Sequence, residues 1–168
     1  MNPPPIPTNE LERLQALWRL NLLDTKPEER FDKITKLATE KLNVPISTIS
    51  LIDKNREWYK SCQGLDIKQQ PRNISFCAHA ILSTDILIIE DTLQDPRFAD
   101  NPQVVNWPYV RFYAGIPLRD LNSGLVIGVL CVKDTKPRQL SKDDYQKLFD
   151  LAVQAEKELQ KSLPDRQS

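Results

Sequence analysis

The chain has 168 residues, with 23 Lys and Arg against 23 Asp and Glu, 40% hydrophobic and 27% charged, the size and balance of one globular domain whose core needs no disulfide or metal staple. The even charge works against nucleic acid, whose binding draws on an excess of cations, and against a polybasic membrane contact. No apolar run approaches the ~20 residues that span a bilayer, and Met1 to Pro5 lacks the charged start and apolar stretch of a signal peptide, so a cytoplasmic protein is expected.

Met1 to Thr8 is proline-rich and reads as extended, because consecutive prolines cannot supply amide hydrogens. Asn9-Glu10-Leu11-Glu12 reads as a capping box ahead of a helix whose Leu11, Leu14, Trp18 and Leu22 fall on one side. Leu17 and Leu20 widen that stripe beyond one packing face. Thr25-Lys26-Pro27-Glu28 repeats the device, with Thr25 as cap, for a second helix carrying Phe31, Ile34, Ala38 and Leu42 and ending at Asn43 and Pro45. From Ile46 to Asp53 the period shortens to that of a strand, and Asp53-Lys54-Asn55 turns the chain into a hairpin partner, Arg56 to Cys62.

Gln63 to Asn73 reads as a polar loop, and Ser75 as the cap of a short helix through Phe76, Cys77, His79, Ala80 and Ile81. Asp85 to Asp91 holds consecutive Ile and Leu residues between acids and reads as a buried strand. Thr92 to Pro108 is too broken by proline for a long element and too apolar for a linker. Tyr109 to Leu118 alternates, with Val110, Phe112, Ala114 and Ile116 facing one way and Tyr109, Arg111 and Tyr113 the other. Asn122-Ser123-Gly124 leads into a near-continuous apolar strand, Leu125 to Val132. Ser141 caps a last helix with Tyr145, Leu148, Ala152, Ala155 and Leu159 at heptad-like spacing, over too few repeats for a coiled coil. Hairpin-grouped strands with helices at the ends predict an α+β fold: an antiparallel sheet with the terminal helices on one face.

Cys62, Cys77 and Cys131 are an odd number, spread singly without C-x-x-C, which fits a reducing compartment better than a disulfide framework. Glycines number four against 13 prolines, and neither G-x-G-x-x-G nor G-x-x-x-x-G-K-[ST] occurs. Phosphate-loop enzymes are therefore poorly supported.

Several blocks in order carry a resemblance: Leu22-Leu23-Asp24-Thr25, Ser50-Leu51-Ile52-Asp53, Arg56-Glu57-Trp58, Ser75-Phe76-Cys77-Ala78-His79-Ala80-Ile81, Asp95-Pro96-Arg97-Phe98, Arg111-Phe112-Tyr113-Ala114-Gly115 and Gly128-Val129-Leu130-Cys131-Val132. Together with Pro27 to Asp32, Pro45-Ile46, Asn101-Pro102, Pro117-Leu118 and Pro137-Arg138, they make the chain resemble the GAF domains of bacterial sensor proteins. The resemblance implies about six antiparallel strands, with terminal helices on one face and a ligand pocket roofed by short helices and loops on the other. It places the GAF domain at residues 9–163, after the extended segment 1–8 and before a tail, 164–168. It further implies signalling beside a histidine kinase or cyclase effector, in the same or another chain, with the terminal helices pairing to those of a second copy in a homodimer. No membrane or nucleic-acid partner is expected.

On that footing the candidate ligand-binding residues are Phe76, Cys77, His79, Asp91, Phe98, Asn101, Trp107, Arg111, Tyr113 and Cys131; no catalytic or metal-binding residue is assigned, and the resemblance leaves the cofactor unknown. His79 is the only histidine, and it either contacts ligand or bonds a backbone carbonyl to order the roof. Arg111 and Tyr113 share one side of their strand and would select an anionic or planar ligand; alternatively Arg111 pairs with Asp91, Asp95 or Asp100 to hold the roof. Phe98, Asn101, Val104 and Trp107 either line a cavity or fill it. Covalent bilin attachment in this fold uses a Cys-His dipeptide, which is missing here because Ala78 separates Cys77 from His79. A thiol-dependent methionine sulfoxide reductase needs an activated thiol and a resolving partner, whereas Cys131 lies on an apolar strand. The reading is a non-enzymatic sensory or regulatory domain, with a ligand-free dimerisation module as the first alternative and a thiol-dependent free methionine sulfoxide reductase as the second.

Overall fold

A computed structural model describes residues 1–167, with side chains through Lys161. The helices are α1 (Glu10–Arg19), α2 (Glu29–Leu42), α3 (Phe76–Ala80), α4 (Pro102–Val105) and α5 (Lys142–Gln167). The strands are β1 (Ile46–Ile52), β2 (Arg56–Gln63), β3 (Gln69–Pro71), β4 (Leu87–Ile89), β5 (Phe112–Arg119) and β6 (Val126–Asp134). They form one six-stranded sheet in the order β3-β2-β1-β6-β5-β4, antiparallel at every pair. The long central strands are the ones read from sequence. Segment 63–73, read as a loop, contributes β3, whose three residues are too few for periodicity to register.

The sheet separates two apolar layers. On one face α1, α2 and α5 bury Leu17, Leu20, Phe31, Ile34, Leu148, Ala155 and Leu159 against Ile49, Leu51, Phe112, Ile116 and Leu130. Each fully buried Leu, Ile or Phe contributes about 1.5–3 kcal/mol, so this layer dominates stability. On the other face α3, α4 and the irregular segment 92–111 form a roof whose Phe76, Phe98, Val104 and Val110 pack on Tyr113, Val129 and Cys131.

Several local expectations are corrected. Asn9 makes no side-chain cap; its carbonyl accepts the Arg13 amide at 3.0 Å. The inward side of α1 is Leu14, Leu17 and Leu20, while Leu11 and Trp18 are 61% and 44% exposed, because the helix ends at Arg19 and its true stripe is rotated from the one chosen. Helix α2 starts four residues after Thr25. The Thr25 hydroxyl is committed to the Leu22 carbonyl and accepts from Lys60 Nζ at 2.8 Å, and Lys60 also pairs with Glu28 at 2.7 Å. Asn43 does end α2, in the left-handed conformation at φ 54, and Arg138 closes that end by donating to the carbonyls of Leu42 and Asn43 at 2.9 and 3.1 Å. Strand β4 lies at the sheet edge with Ile88 exposed, so its apolar run is not a buried strand. Val110 precedes β5 and joins the roof layer, opposite to Phe112. Helix α5 continues through the segment read as a tail, with Ser168 outside the described residues.

Candidate functional site

Alternation on β1 turns Ile49 and Leu51 to the helices and Thr48, Ser50 and Ile52 to the roof. The roof side of β2 receives Glu57, and that of β6 receives Cys131 and Lys133. Glu57 is fully buried. Its Oε2 accepts from Ser50 Oγ at 2.6 Å; its Oε1 accepts from Ser75 Oγ at 2.6 Å and from Gln70 Nε2 at 2.9 Å. Ser75 is also the cap of α3, accepting the Ala78 amide at 2.9 Å, so one hydroxyl ties the carboxylate to the roof helix.

A directed hydrogen-bond chain runs from this carboxylate across the sheet. Ser50 has one hydroxyl proton, which goes to Glu57, so it accepts from Thr48 at 2.7 Å. Thr48 has then used its own proton and accepts from the Cys131 thiol at 3.1 Å. The Cys77 and Cys131 thiols are electrostatically coupled, and Cys77 accepts from Tyr113 Oη at 3.1 Å. Between Cys131 and Glu57 each thiol and hydroxyl has one proton and one acceptor, which fixes the direction of that run towards Glu57.

Lys133, also fully buried, donates to Gln103 Oε1 at 3.0 Å and lies 5.6 Å from the Phe76 ring centroid. Gln103 in turn donates to the Ile74 carbonyl at 2.8 Å. Burial works to discharge the ammonium, but the surrounding thiols and Glu57 hold its pKa above the ordinary lysine value. Burial pushes the Cys77 thiol up, as does its bond to Cys131; Cys131, opposed by burial, is held down by Cys77 and Lys133. Burial and the nearby Glu57 push the Tyr59 phenol up, and its buried hydroxyl has no hydrogen-bond partner.

The space between sheet and roof is filled by side chains. Phe76 packs edge-on to Phe98 at 4.7 Å and to Tyr113 at 5.4 Å between ring centroids. The Tyr113 ring folds back over Gly115, where an added Cβ would sit 2.2 Å from the phenol oxygen, so only glycine admits this placement.

Of the candidate residues, Phe76, Cys77, Phe98, Tyr113 and Cys131 come together in this interior. Asn101 staples the roof, accepting the Gln103 amide at 2.9 Å and donating to the Ile74 carbonyl at 3.1 Å. His79 sits at the rim, edge-on to Phe98 at 4.8 Å and 3.3 Å from the Asn2 carbonyl, the backbone-ordering arrangement. Arg111 pairs with none of Asp91, Asp95 or Asp100 but donates to the carbonyls of Val104 and Val110 at 2.9 and 3.3 Å, because α4 ends beside it with unmet carbonyls. Asp91 accepts the Leu93 amide at 3.0 Å as a local cap, and Trp107 is 65% exposed; neither joins the interior. Glu57, Lys133, Ser50, Thr48 and Gln103 are the site residues the sequence reading missed. Strand parity places Lys133 on the same side as Cys131, but the apolar run that marks this strand in the sequence ends at Val132, ahead of the lysine.

A six-stranded antiparallel sheet with long helices on one face and a roof of short helices and loops on the other defines an α+β class of domain. The GAF domain family matches residues 26–159, and the chain belongs to it. It is 44% identical over 138 residues to a cyclic di-GMP phosphodiesterase of Pseudomonas aeruginosa, a match covering 82% of this chain and 23% of that relative's length. Among solved structures it is similar to the blue-light-absorbing form of the PixJ GAF domain of Thermosynechococcus elongatus, with TM-score 0.66, 13% identity and coverage of 97% and 94% of the two chains. A free methionine-R-sulfoxide reductase from Neisseria meningitidis, solved with its substrate, superposes with TM-score 0.64 at 17% identity over 90% and 89%. At these identities the structural likenesses establish the fold. Among the described residues no helix is long and apolar enough to cross a membrane, and no group of His, Cys, Asp and Glu is placed to hold a metal ion.

Proposed function

We propose that this chain is a non-enzymatic regulatory GAF module of cytoplasmic signalling that binds a small polar ligand between roof and sheet and reports occupancy through α1 and α5. The observation that carries the reading is the pair of fully buried charges, Glu57 and Lys133, on the roof side of the sheet. Buried charges are a poor source of stability, and well-packed apolar residues would serve a purely structural core at least as well. A ligand with donor groups for Glu57 and an acceptor or anionic group for Lys133 would take the place of the Ser75 and Gln70 bonds to the carboxylate and of the Gln103 bond to the ammonium. The interior is closed, so entry lifts the roof segment 92–111. The likeness to a cyclic di-GMP phosphodiesterase supports a place beside an effector that turns over a second messenger, either on the same polypeptide or on a partner such as a histidine kinase or cyclase.

Homodimerisation through the terminal helices is part of the proposal. It is supported by Leu11 and Trp18 of α1 and Phe149 of α5, large apolar side chains left exposed. Light scattering at high micromolar concentration should give a dimer, and a monomer there removes this element. For the ligand, a thermal-shift screen of amino acids, cyclic nucleotides and planar metabolites should produce stabilisation that Lys133→Met abolishes. Stabilisation unchanged by that substitution would place the ligand elsewhere. Absence of any stabilisation would favour a ligand-free dimerisation module.

A further inference from the structure

The N-terminal segment crosses the outside of the molecule from the roof to α1. Asn2 holds two separate pieces of the roof: its amide donates to the Arg97 carbonyl at 3.5 Å, and its carbonyl accepts from Nε2 of His79 on α3 at 3.3 Å. His79 lies edge-on to Phe98, which is fully buried and packed on Phe76, so this anchor bears directly on the roof's inner layer. The Met1 ammonium also pairs with Asp100 at 2.6 Å, but the pair is exposed and adds little. At the other end the Pro7 carbonyl accepts the Glu10 amide at 3.2 Å, which joins the segment to the first turn of α1. That turn belongs to the fixed frame of the sheet: Glu10 accepts from Arg13 and Arg72, and Arg72 also donates to the Asp53 carbonyl at 3.0 Å.

Between the two anchors the segment bridges a gap. Pro3, Pro4 and Ile6 stand across a groove of about 350 Å³ from Lys54, Asn55 and Arg72, and Ile6 is 60% exposed. Apolar burial therefore does little to hold the middle of the segment, and the ends carry the attachment. Long hydrogen bonds suffice there because Pro3, Pro4, Pro5 and Pro7 keep the bridge extended and stiff, which leaves little chain entropy to lose when it closes. We propose that residues 2–7 are a releasable strap that holds the roof shut by tying α3 and the 95–100 loop to the start of α1. The strap is a regulation of the interior site and rests on the reading that the roof lifts to admit a ligand: lifting the 92–111 segment away from α3 breaks the Asn2 contacts. Release then frees the chain just ahead of α1, so opening of the roof is felt at a helix through which the domain reports.

The test is amide hydrogen–deuterium exchange of the full chain without any ligand, compared with a chain lacking residues 2–7 and with a chain carrying Pro3→Gly, Pro4→Gly and Pro5→Gly together. In the deletion, roof amides in 76–83 and 95–101 should exchange about tenfold faster, the loss of two weak hydrogen bonds that close the roof. The glycine variant keeps every anchor but makes closure entropically costlier, and its roof should exchange several-fold faster. Amides of α2, β1 and β6 should keep their rates in both, because the segment buries little against that frame. Roof exchange unchanged in either variant would overturn the strap, as would equal acceleration in roof and sheet, which marks general destabilisation. Because no ligand takes part, this outcome stands apart from the ligand screen: a loosened roof with no ligand found keeps the strap and removes the ligand site, while a ligand found with the roof unaltered by the deletion does the reverse.

Discussion

Replacing Glu57 with alanine removes the acceptor on which three buried donors converge. Ser50 Oγ, Ser75 Oγ and Gln70 Nε2 lie 2.6, 2.6 and 2.9 Å from its oxygens, and none of them is near bulk water once the carboxylate is gone. Hydrogen bonds to a charged group are each worth about 1.5–3 kcal/mol, while removing the buried charge returns part of that sum. A net loss of about 3–5 kcal/mol follows, the range found when one member of a buried charged network is deleted. For a domain of this size that lowers Tm by roughly 6–20 °C. Urea unfolding should show a lower midpoint at unchanged slope, and Glu12→Ala, on the exposed side of α1, should change the unfolding free energy by no more than about 0.5 kcal/mol. Glu57→Gln separates shape from charge: its amide nitrogen faces one donor, so the Ser50–Thr48–Cys131 chain must reverse, at an intermediate cost of about 1–3 kcal/mol. A loss below about 1 kcal/mol for Glu57→Ala would refute the reasoning, because it would mean the donors find other partners.

Three further outcomes follow from the same geometry. Burial, only partly offset by the bond to the Asn2 carbonyl, holds the His79 pKa below its ordinary value, so the folded state binds this proton less readily than the unfolded chain. Stability from His79 is complete above about pH 6.5 and is lost as pH falls through the depressed folded value. The urea midpoint should drop between neutral and mildly acid pH, and His79→Gln should flatten that part of the profile; an unchanged slope contradicts the assignment. Gly115→Ala forces a Cβ against the Tyr113 ring and should cost about 1–3 kcal/mol in the native chain but little when added to Tyr113→Val, whose own cost is the lost ring; additive losses would show that the two positions do not meet. Burial pushes Cys62 up to about 11 and Cys77 higher than its ordinary value, and both interior thiols are fully buried. A thiol reagent at pH 8 should therefore modify the folded protein slowly, and the protein should not consume methionine sulfoxide in the presence of a thiol reductant; two rapidly reacting thiols, or turnover that Cys77→Ser stops, would overturn the non-enzymatic reading.

What could be read from the sequence was set by length and period. The long central strands and the buried side of α2 announce themselves through repeated apolar spacing, and Ser75 and Ser141 act as the caps they look like, accepting amides of Ala78 and Asp144 at 2.9 and 3.0 Å. Asn9 and Thr25 have the same capping chemistry locally, yet tertiary partners decide otherwise: Thr25 is drawn into the Lys60 contact, a pairing 35 residues apart. Strand β3 is too short to have a period and exists because Glu57 and Gln70 meet across the β2–β3 ladder. The interior under the roof was half legible. Its aromatic and thiol members stood out as residue types, whereas Glu57 and Lys133 look like ordinary surface charges until strand parity and the roof bury them. Trp107 misleads in the opposite sense, since a large aromatic residue in an apolar segment looks like core yet is exposed here.

If the buried polar face of the sheet is a ligand site opened by its roof, the roof must become less mobile when ligand is bound. The most direct measurement is hydrogen–deuterium exchange of the roof amides in α3, α4 and segment 92–111, comparing dialysed protein with protein given the small-molecule fraction of cells of the source organism. Slower exchange is expected in those segments for the native chain, with the effect lost in Lys133→Met. Exchange of the roof unaltered by the small-molecule fraction, or protection that persists in Lys133→Met, would contradict it.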